Sequence, residues 1–242
     1  QFIIPRLHKM YPNFSEQVRT VKEIKSLGRK VSLDGEEYDF VVDCRGYPED
    51  YSDYIISDKV YLDSAIAIRS YTPGDWEYTY HIAHKHGWMF GLPLQNRTAW
   101  GYLYNSKITS QLEAQDDVSK ILKEYQIEFH SRDCREFSFK NYYAKSIVNE
   151  DGNIFLNGNR ALFLQPIQAT SLGCYGLINE MIIDSIMNNK EPDRYTDIME
   201  EVIRFINLHY YKGSDFDSPF WNTASEGAKK LFGNTDPRDY PW

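Results

Sequence analysis

The sequence has 242 residues, of which 42% are hydrophobic and 26% charged, the composition of a globular protein long enough to bury a sizeable core. Its formal net charge of −8 argues against broad binding to nucleic acids or anionic membranes, because a negative protein field repels both. No apolar run approaches the ~20 residues of a membrane span, and three cysteines without metal-ligand spacing, Cys44, Cys134 and Cys174, are typical of reduced thiols in a cytoplasmic protein.

The first part of the chain is predicted to form an amphipathic helix and short strands. Residues 1–14 have the helical pattern, "VRTVKEI" and "RKVSL" alternate as strands do, and Asp34–Gly35 marks a turn. The nearly continuous apolar run in "YDFVVDCRG" indicates a strand buried on both faces, as in a parallel sheet. Ligands bind at the carboxyl ends of such strands, where Gly46 allows close backbone approach.

The middle of the chain is predicted to be an antiparallel sheet. Strand patterning is present at residues 58–69 and in "WEYTYHIAH", "GWMFGLPL" and "WGYLYNS", with turns expected at Gly87 and at residues 95–98. Helical periodicity follows at residues 109–125. Residues 135–165 return to strand patterning, with a hairpin turn at Asp151–Gly152.

The histidines of "HIAHKH" are not predicted to bind a metal ion. On a strand, His84 and His86 would share one face whereas His81 would lie on the other. No carboxylate close to them in the sequence completes a ligand set.

From about residue 172 the chain is predicted to be helical. "LGCYGLINEMIIDSIMNN" and "YTDIMEEVIRFINLHYY" repeat apolar residues at i, i+3 and i+4. Pro192 and Asp193 are expected to start the second helix, and Gly233 to end a last helix in "SPFWNTASEGAKKLFG".

Four motifs, in chain order, resemble motifs of the flavin-dependent tryptophan halogenases. "DCRG" resembles the Asp-Cys-Ser-Gly at the end of a strand, and "YTYHIAHKHGWMFGLPLQNRTAWGYLYNS" resembles the stretch with Trp-x-Trp-x-Ile-Pro. "ALFLQPIQATSLG" resembles the Phe-x-Glu-Pro-x-Glu-Ser-Thr-Gly segment beside the flavin, and "LHYYKGSDFDSPFW" resembles a segment near the substrate. Together they span most of residues 17–221.

The resemblance implies a mixed α/β, FAD-dependent monooxygenase-like fold, with a Rossmann-type sheet remnant, an antiparallel substrate sheet and a helical C-terminal part. Residues 1–57 would belong to the FAD-binding domain, 58–150 to the substrate-side sheet with one helix, 151–187 again to the FAD-binding domain, and 188–242 to a helical region. The chain contains no G-x-G-x-x-G and does not begin with Met. We therefore expect the family's glycine-rich loop and its catalytic lysine to lie upstream of residue 1.

The resemblance also implies the chemistry. In this family, reduced FAD, oxygen and a halide ion give hypohalous acid, and a lysine in a separate pocket passes the halogen to an electron-rich ring. The implied cofactors are therefore reduced FAD and chloride, bromide or iodide, and the implied substrate is a small aromatic molecule. Because no NAD(P)H site is visible, a separate NAD(P)H-dependent flavin reductase is the expected partner, and a homo-oligomer is compatible with the sequence.

Two segments are implied to face the flavin. The cofactor-binding residues expected there are Asp43, Gly46, Pro166, Leu172 and Gly173. The main-chain N–H groups of Thr170 and Ser171 are the expected halide ligands, aided by the positive end of the following helix. The same two residues also suit a plain helix cap, because capping and anion binding use the same N–H groups. Arg45 replaces the family's serine and is either a ligand for a phosphate or acid, or a surface arginine.

The flavin-side segment departs from the family pattern at four positions. Gln165 and Gln168 stand where the family has acids, Ala169 where it has serine, and Ser171 where it has glycine. Gln168 is the one candidate catalytic residue in this chain, but an amide orients by hydrogen bonds and cannot take up a proton. The change predicts another halide preference, a slower reaction or a different flavin reaction. Ser171 would restrict the backbone if a positive φ were required there.

The substrate side is implied to be aromatic, which agrees with the chain's 19 tyrosines. Trp88, Phe90 and Pro93 resemble the barrier that separates substrate from flavin, although two aromatics at i and i+2 also suit an ordinary core strand. The remaining candidates are Tyr210, Tyr211, Phe220 and Trp221, for which anchoring of helices in the core is the alternative role.

Three functions therefore fit the sequence: a flavin-dependent halogenase, a flavin monooxygenase of related fold, and a non-catalytic, degenerate fragment. The two glutamines favour the monooxygenase, whereas the barrier motif opposes it.

Overall fold

The computed structural model describes residues 3–233 and 235–237. Its helices are α1 (Ile3–Met10), α2 (Gln111–Glu124), α3 (Thr170–Asn188), α4 (Tyr195–Tyr211) and α5 (Pro219–Phe232). The strands of the first half are β1 (Ile24–Ser26), β2 (Val31–Leu33), β3 (Glu36–Tyr38), β4 (Val41–Asp43), β5 (Tyr54–Ile56), β6 (Ser64–Ser70), β7 (Tyr80–His84), β8 (Gly87–Leu94) and β9 (Arg97–Tyr104). Those that follow are β10 (Cys134–Ser138), β11 (Tyr142–Ala144), β12 (Ile154–Leu156) and β13 (Leu162–Phe163). No helix in the described ranges is long and apolar enough to cross a membrane.

The chain divides into two compact units. The smaller unit comprises Gln1–Val42 and Asn149–Phe155, and the larger comprises Asp43–Val148 and Leu156–Trp242. The division into flavin-side and substrate-side segments at residues 57, 150 and 187 stays a prediction.

The smaller unit contains the antiparallel sheet β1-β2-β3. Asp34 and Gly35 form its second turn as predicted, with φ of 50° and 93°. The predicted strand "VRTVKEI" is wrong, because regular pairing begins only at Ile24. The main-chain N–H groups of Lys22 and Glu23 donate instead to the Asp34 carboxylate, so that a side chain takes the bonds a neighbouring strand would supply.

Strand β4 is shorter and more exposed than "YDFVVDCRG" predicts. It pairs only with β12: Val41 N–H donates to Asn153 O, and Asn157 N–H donates to Asp43 O, the slanted pattern of a parallel pair. Val42 is 42% exposed, so the prediction of a strand buried on both faces is wrong for the described residues.

The larger unit contains a five-stranded antiparallel sheet in the order β10-β6-β9-β8-β7. This confirms the predicted antiparallel strands and the helix that follows them. Gly87, predicted as a turn residue, is the first residue of β8. A Cβ at this position would lie 2.1 Å from the carbonyl oxygen of Leu103, so the close approach of β9 requires glycine inside the strand.

The two faces of this sheet bury different aromatic residues. Met89, Trp100 and Tyr102 lie in the core cluster that contains the apolar face of α2. Trp88 and Phe90 lie on the other face, because side chains alternate along a strand, and their ring centroids are 6.4 Å apart. This second face meets α4, since the indole of Trp88 is hydrogen-bonded to a tyrosine of that helix.

A shorter sheet, β13-β11-β5, and helices α3, α4 and α5 complete the larger unit. Gly233 ends α5 as predicted, with φ of 61°. Helix α4, by contrast, begins at Tyr195 and not at Pro192–Asp193. The Tyr195 N–H donates to Pro192 O, so the proline and aspartate form a turn before the helix.

The Phe90 ring of β8 lies over Gly101 of β9, where a larger residue would not fit. We therefore predict the effect of Gly101→Ala. A Cβ at Gly101 would lie 2.4 Å from ring carbons of Phe90, its cross-strand neighbour. We expect this substitution to lower the free energy of unfolding by about 1–3 kcal/mol through overpacking. Adding Phe90→Ala should relieve the clash, so a double-mutant cycle in urea should show strong coupling between the two positions.

Gly176→Ala is the matched control. Gly176 lies inside α3, and a Cβ added to it would have no neighbouring atom within 4 Å, so alanine should stabilise the helix by up to about 1 kcal/mol. If Gly101→Ala lowers the free energy of unfolding equally with and without Phe90→Ala, the Phe90 ring does not pack against Gly101.

Candidate functional site

A chain of three buried side chains joins the sheet to α4 and to the segment before α3. Trp88 Nε1 donates to the hydroxyl of Tyr210 over 2.9 Å, and that hydroxyl donates to Oε1 of Gln165 over 3.0 Å. Burial raises the pKa of Tyr210, so its hydroxyl keeps the proton that it donates. This hydrogen-bond chain joins Trp88 of β8 to Tyr210 of α4, which lies 122 residues further along the sequence. It thereby fixes the position of the Trp88 indole.

Gln165 is fully buried and is held by its main chain as well. Its N–H donates to Oδ1 of Asn141 over 2.8 Å, and Nδ2 of Asn141 donates to Leu62 O over 2.5 Å. The Gln165 Nε2 group has no hydrogen-bond partner among the described residues. A buried amide that keeps an unused donor is costly, so this position lowers the stability of the fold.

A cavity of about 170 Å³ lies next to the hydrogen-bond chain. A volume of this size suits one aromatic ring, since an engineered apolar cavity of about 150 Å³ holds benzene. Three predicted substrate-side residues and one predicted flavin-side residue meet in its wall. The lining residues are His81, Ala83, Trp88, Ile167, Gln168, His209, Tyr210, Gly213 and Trp221.

Trp221, near the start of α5, forms part of the cavity wall. Its Nε1 donates to His84 O over 2.7 Å, and its ring centroid is 6.0 Å from that of Tyr210. Ser218 caps the helix by accepting the Trp221 N–H, which fixes the backbone that carries the indole.

The other predicted substrate-side residues do not line this cavity. Phe220 is buried behind it and packs on Trp221 with a centroid distance of 5.1 Å. Tyr211 packs on Phe232 at the far end of α5. Phe90 lies over Gly101 beside Trp88, whereas Pro93, five residues from Trp88 on the same strand, is on the opposite face of the sheet.

Two residues lead into α3 with left-handed backbones. Gln168 and Ala169 have φ of 52°, a conformation that non-glycine residues adopt at a cost of roughly 1–2 kcal/mol each. Ser171, in contrast, lies within the helix and has no positive φ, so the glycine of the family pattern is not needed at this position. Local strain retained in an exposed turn is typical of functional segments.

Of the two predicted halide ligands, the Thr170 N–H is already engaged within this turn. The Thr170 N–H donates to Ile167 O, and the Thr170 hydroxyl donates to the same oxygen over 2.5 Å. The Ser171 hydroxyl donates to Leu164 O and accepts the Leu164 N–H, which closes the turn from the other side. An anion at this helix end would therefore compete with the Ile167 carbonyl for the Thr170 N–H.

The remaining predicted cofactor residues lie at two places. Leu172 and Gly173 are exposed on the first turn of α3, with open space around Gly173, and Pro166 precedes the strained turn. Asp43 and Gly46 lie at and after the end of β4, and Gly46 also has open space at its Cβ position.

Two arginines converge on the carboxylate of Asp43. Arg45 binds it through Nε and Nη2, both at 2.9 Å, and Arg160 Nε lies 3.3 Å away. Burial favours the neutral acid, but the hydrogen bonds from Arg45 and the charges of both arginines outweigh it, and the pKa of Asp43 is lowered. Arg45 is thus bound to an acid of its own chain, a contact that the sequence alone left open.

Two histidines line the cavity: His81, which the sequence analysis considered only as a metal ligand, and His209, to which it gave no role. Burial and the neighbouring His209 lower the pKa of His81, which favours a neutral imidazole at neutral pH. The hairpin register could have identified it, because His81 pairs with Phe90 and Ala83 with Trp88.

A carboxylate from a distant part of the sequence lies beside His84 in the fold. Asp117 of α2 is fully buried, with Oδ1 2.8 Å from His84 Nδ1 and Oδ2 accepting from Tyr102 and from the His86 N–H. Since β7 ends at His84, His86 belongs to the turn and does not share its strand face as predicted. Within the described residues, no group of three His, Cys, Asp or Glu residues is arranged to hold a metal ion.

Comparisons with known proteins identify the family of the chain and its fold. A family model described as tryptophan halogenase matches residues 14–231. Tryptophan 7-halogenase RebH of Lentzea aerocolonigenes is 23% identical over 211 residues, and tryptophan 6-halogenase ThaL of Streptomyces albogriseolus is 24% identical over 213 residues. Each alignment covers 78% of this chain but 38% of the relative, so the chain spans less than half the length of these relatives.

Solved structures show the same fold. BrvH, a flavin-dependent halogenase from Brevundimonas sp. BAL3, matches with a TM-score of 0.70 at 22% identity, over 91% of this chain and 49% of that chain. The VirX1 apo structure matches with a TM-score of 0.68 at 19% identity, over 96% of this chain and 51% of that chain. The mixed α/β fold predicted from the sequence, with antiparallel sheets and C-terminal helices, is thereby confirmed.

The two glutamines of the site provide a matched test of the hydrogen-bond chain. Gln165→Leu keeps the side-chain volume but removes the acceptor of the buried Tyr210 hydroxyl, so the free energy of unfolding should fall by about 1–3 kcal/mol. Gln168→Leu changes an exposed side chain three residues away and should stay within about 0.5 kcal/mol of the parent protein. Urea denaturation measures both values, and equal losses would show that the hydrogen-bond chain does not stabilise the site.

Proposed function

The chain belongs to the tryptophan halogenase family, and we propose that it forms part of a FADH2-dependent halogenase acting on a small, electron-rich aromatic substrate. The proposal is supported above all by one observation: Trp88, Tyr210 and Trp221, predicted for the substrate side, line the same cavity as Gln168 of the flavin-side turn. A cavity of about 170 Å³ favours substrates with one or two fused rings, such as a phenol or an indole, inserting a single ring.

In this proposal the described residues contact the isoalloxazine ring of the flavin and do not hold its pyrophosphate. Leu172 and Gly173 offer an exposed, open helix N terminus, and Pro166 and Gln168 shape the turn before it. A bound flavin would supply the oxidising chemistry that turns halide into electrophilic halogen. The 242 residues contain no glycine-rich loop for the pyrophosphate, so in this proposal that part of the cofactor is held by residues outside the sequence given.

The halide is proposed to bind at the N terminus of α3, where Thr170 and Ser171 lie. The positive end of the helix dipole attracts an anion there. Binding requires the Thr170 N–H to turn from the Ile167 carbonyl to the ion. Gln168 then orients the halogen species by a hydrogen bond, since its amide cannot accept a proton as the family's acid does.

On the substrate side, Trp88 and Trp221 are proposed to hold the ring, and Phe90 beside Trp88 to separate it from the flavin. The indole N–H groups of both tryptophans are already bound within the protein, so these residues contribute shape and apolar contact. Neutral His81 is proposed to accept a hydrogen bond from the substrate's O–H or N–H, which raises electron density in the ring.

The function is tested with the intact protein, FAD, NADH, a separate flavin reductase, bromide and either phenol or indole. The proposal expects a brominated product by mass spectrometry that depends on bromide and on the reductase. A hydroxylated product independent of bromide would establish the monooxygenase, which the uncharged Gln165 and Gln168 favour. Rapid NADH consumption without reductase would contradict the proposed partner, and the absence of any product would support a non-catalytic role.

Phe90→Leu examines the barrier in the same assay. The smaller side chain should shift products from brominated to hydroxylated or to free peroxide, because it opens the space beside Trp88. An unchanged ratio with lower thermal stability would identify Phe90 as a core residue only.

His81→Gln gives a pH test with a defined sign. Because its pKa is lowered, His81 stays neutral until the pH falls below the ordinary histidine value of about 6.5. At lower pH the protonated imidazole can no longer accept the substrate's hydrogen bond, so kcat/KM should decline there. We expect the decline to disappear in His81→Gln. In His209→Gln it should move to higher pH, because a charge that lowers the pKa of His81 is removed. An acidic decline that persists unchanged in His81→Gln would exclude this role.

A further inference from the structure

A second cavity, three times larger than the first, lies on the α2 side of the five-stranded sheet. Its volume is about 510 Å³, within the usual range for small-molecule sites. It is separate from the site described above, because Trp100 in its wall belongs to the face of the sheet opposite to Trp88. The halogenase proposal assigns it no role.

Four aromatic side chains form the walls, and we name them the aromatic cage: Trp76, Tyr80, Trp100 and Tyr125. Tyr80 stacks on Trp100 with a centroid distance of 6.1 Å and an angle of 23°. Trp76 meets Tyr80 edge-on at 5.0 Å, and Tyr125 meets it edge-on at 6.3 Å. Tyr80 thus contacts the other three rings, and all four residues line the same cavity.

The chain makes room for these rings. A Cβ at Gly91 would lie 2.2 Å from the Trp100 ring, and one at Gly74 would lie 2.6 Å from the Trp76 ring. Glycine at these two positions lets both indoles lie against backbone. Beside the cage, Gln126 adopts φ of 53°, an uncommon conformation for a non-glycine residue, and its side chain joins the lining.

Both indole N–H groups of the cage lack partners. Trp76 Nε1 and Trp100 Nε1 are buried, and no residue in the described ranges accepts a hydrogen bond from either. Trp100 as a whole is 4% exposed. Because these N–H groups are closed to solvent, the two indoles meet the cavity through their ring carbons.

The rim of the cage is acidic. Asp75 and Glu128 line it, both exposed, and neither forms an ion pair with another residue that the structure describes. The lining contains no Lys or Arg among these residues. Aromatic faces carry negative charge density, so the rings and the two carboxylates attract the same kind of group.

We propose that the aromatic cage binds a small organic cation, a quaternary or protonated amine. The cation lies against the aromatic rings and is drawn in by Asp75 and Glu128. Aromatic cages recognise quaternary ammonium groups in this way.

Choline and its uncharged isostere 3,3-dimethylbutan-1-ol are suitable probes, because both have the same shape and a hydroxyl oxygen. Intrinsic tryptophan fluorescence of the intact protein is titrated with choline chloride, against sodium chloride at equal concentration. A saturable change with choline, and binding of the uncharged alcohol about tenfold weaker, are expected. No saturable change, or equal binding of the two compounds, would overturn the proposal.

Variants locate the site. Tyr125→Leu and Glu128→Gln alter exposed cage residues, leave all tryptophans in place, and should each weaken choline binding several-fold. Phe137→Leu and Glu124→Gln alter an exposed aromatic and an exposed acid outside the cage and should bind as the parent does. Far-UV circular dichroism verifies each fold. Choline binding unchanged in both cage variants would refute the assignment, whatever the outcome of the halogenase assay.

Discussion

The hydrogen-bond chain from Trp88 through Tyr210 to Gln165 is the interaction on which the candidate site depends. Each side chain comes from a different element, and each donor has one acceptor, so the direction of the chain is fixed. All three residues are buried, where an unpaired polar group costs about 1–3 kcal/mol. The sheet, α4 and the turn before α3 therefore cannot shift independently without breaking a bond that water is not present to replace.

The glutamine at position 165 has a physical consequence that an acid would not have. A carboxylate buried among Trp88, Tyr210 and Asn141 would need a compensating positive charge, whereas a neutral amide accepts the hydrogen bond from the Tyr210 hydroxyl without one. The remaining amide donor, Nε2, is left unused among the described residues. At position 165 the site thus presents an amide donor and no negative charge.

The elements that could be predicted from the sequence were those whose pattern lies in adjacent residues. Strands β8 and β9 and helix α2 were predicted because alternation and 3.6-residue periodicity are properties of adjacent residues. The prediction that Val41–Asp43 is buried on both faces was wrong, because an apolar run does not show whether neighbouring strands exist to cover it. Pairing of Asp117 with His84, and of Arg160 with Asp43, required the tertiary structure, because charged residues alone do not specify their partners.

Residues of the site were predicted unevenly for a related reason. Motif resemblance identified Trp88, Tyr210 and Trp221, which do share a cavity, but it grouped Pro93 with them although strand alternation turns it to the other face. His81 and His209 lie within quoted motifs but were assigned no role in this site, and the register of β7 against β8 and the helical position of His209 bring them to the cavity. The aromatic cage likewise combines residues from three separate segments.

The central claim is that an aromatic ring occupies the cavity between the Trp88 and Trp221 indoles next to Gln168. A crystal structure of the intact protein soaked with 4-bromophenol tests it most directly, because anomalous scattering from bromine locates the ligand without reference to the protein coordinates. We predict a bromine peak within this cavity, close to Gln168, with the phenol oxygen towards His81. A peak only elsewhere, with the Trp88–Tyr210–Gln165 chain intact and the cavity empty of the ring, would contradict the claim.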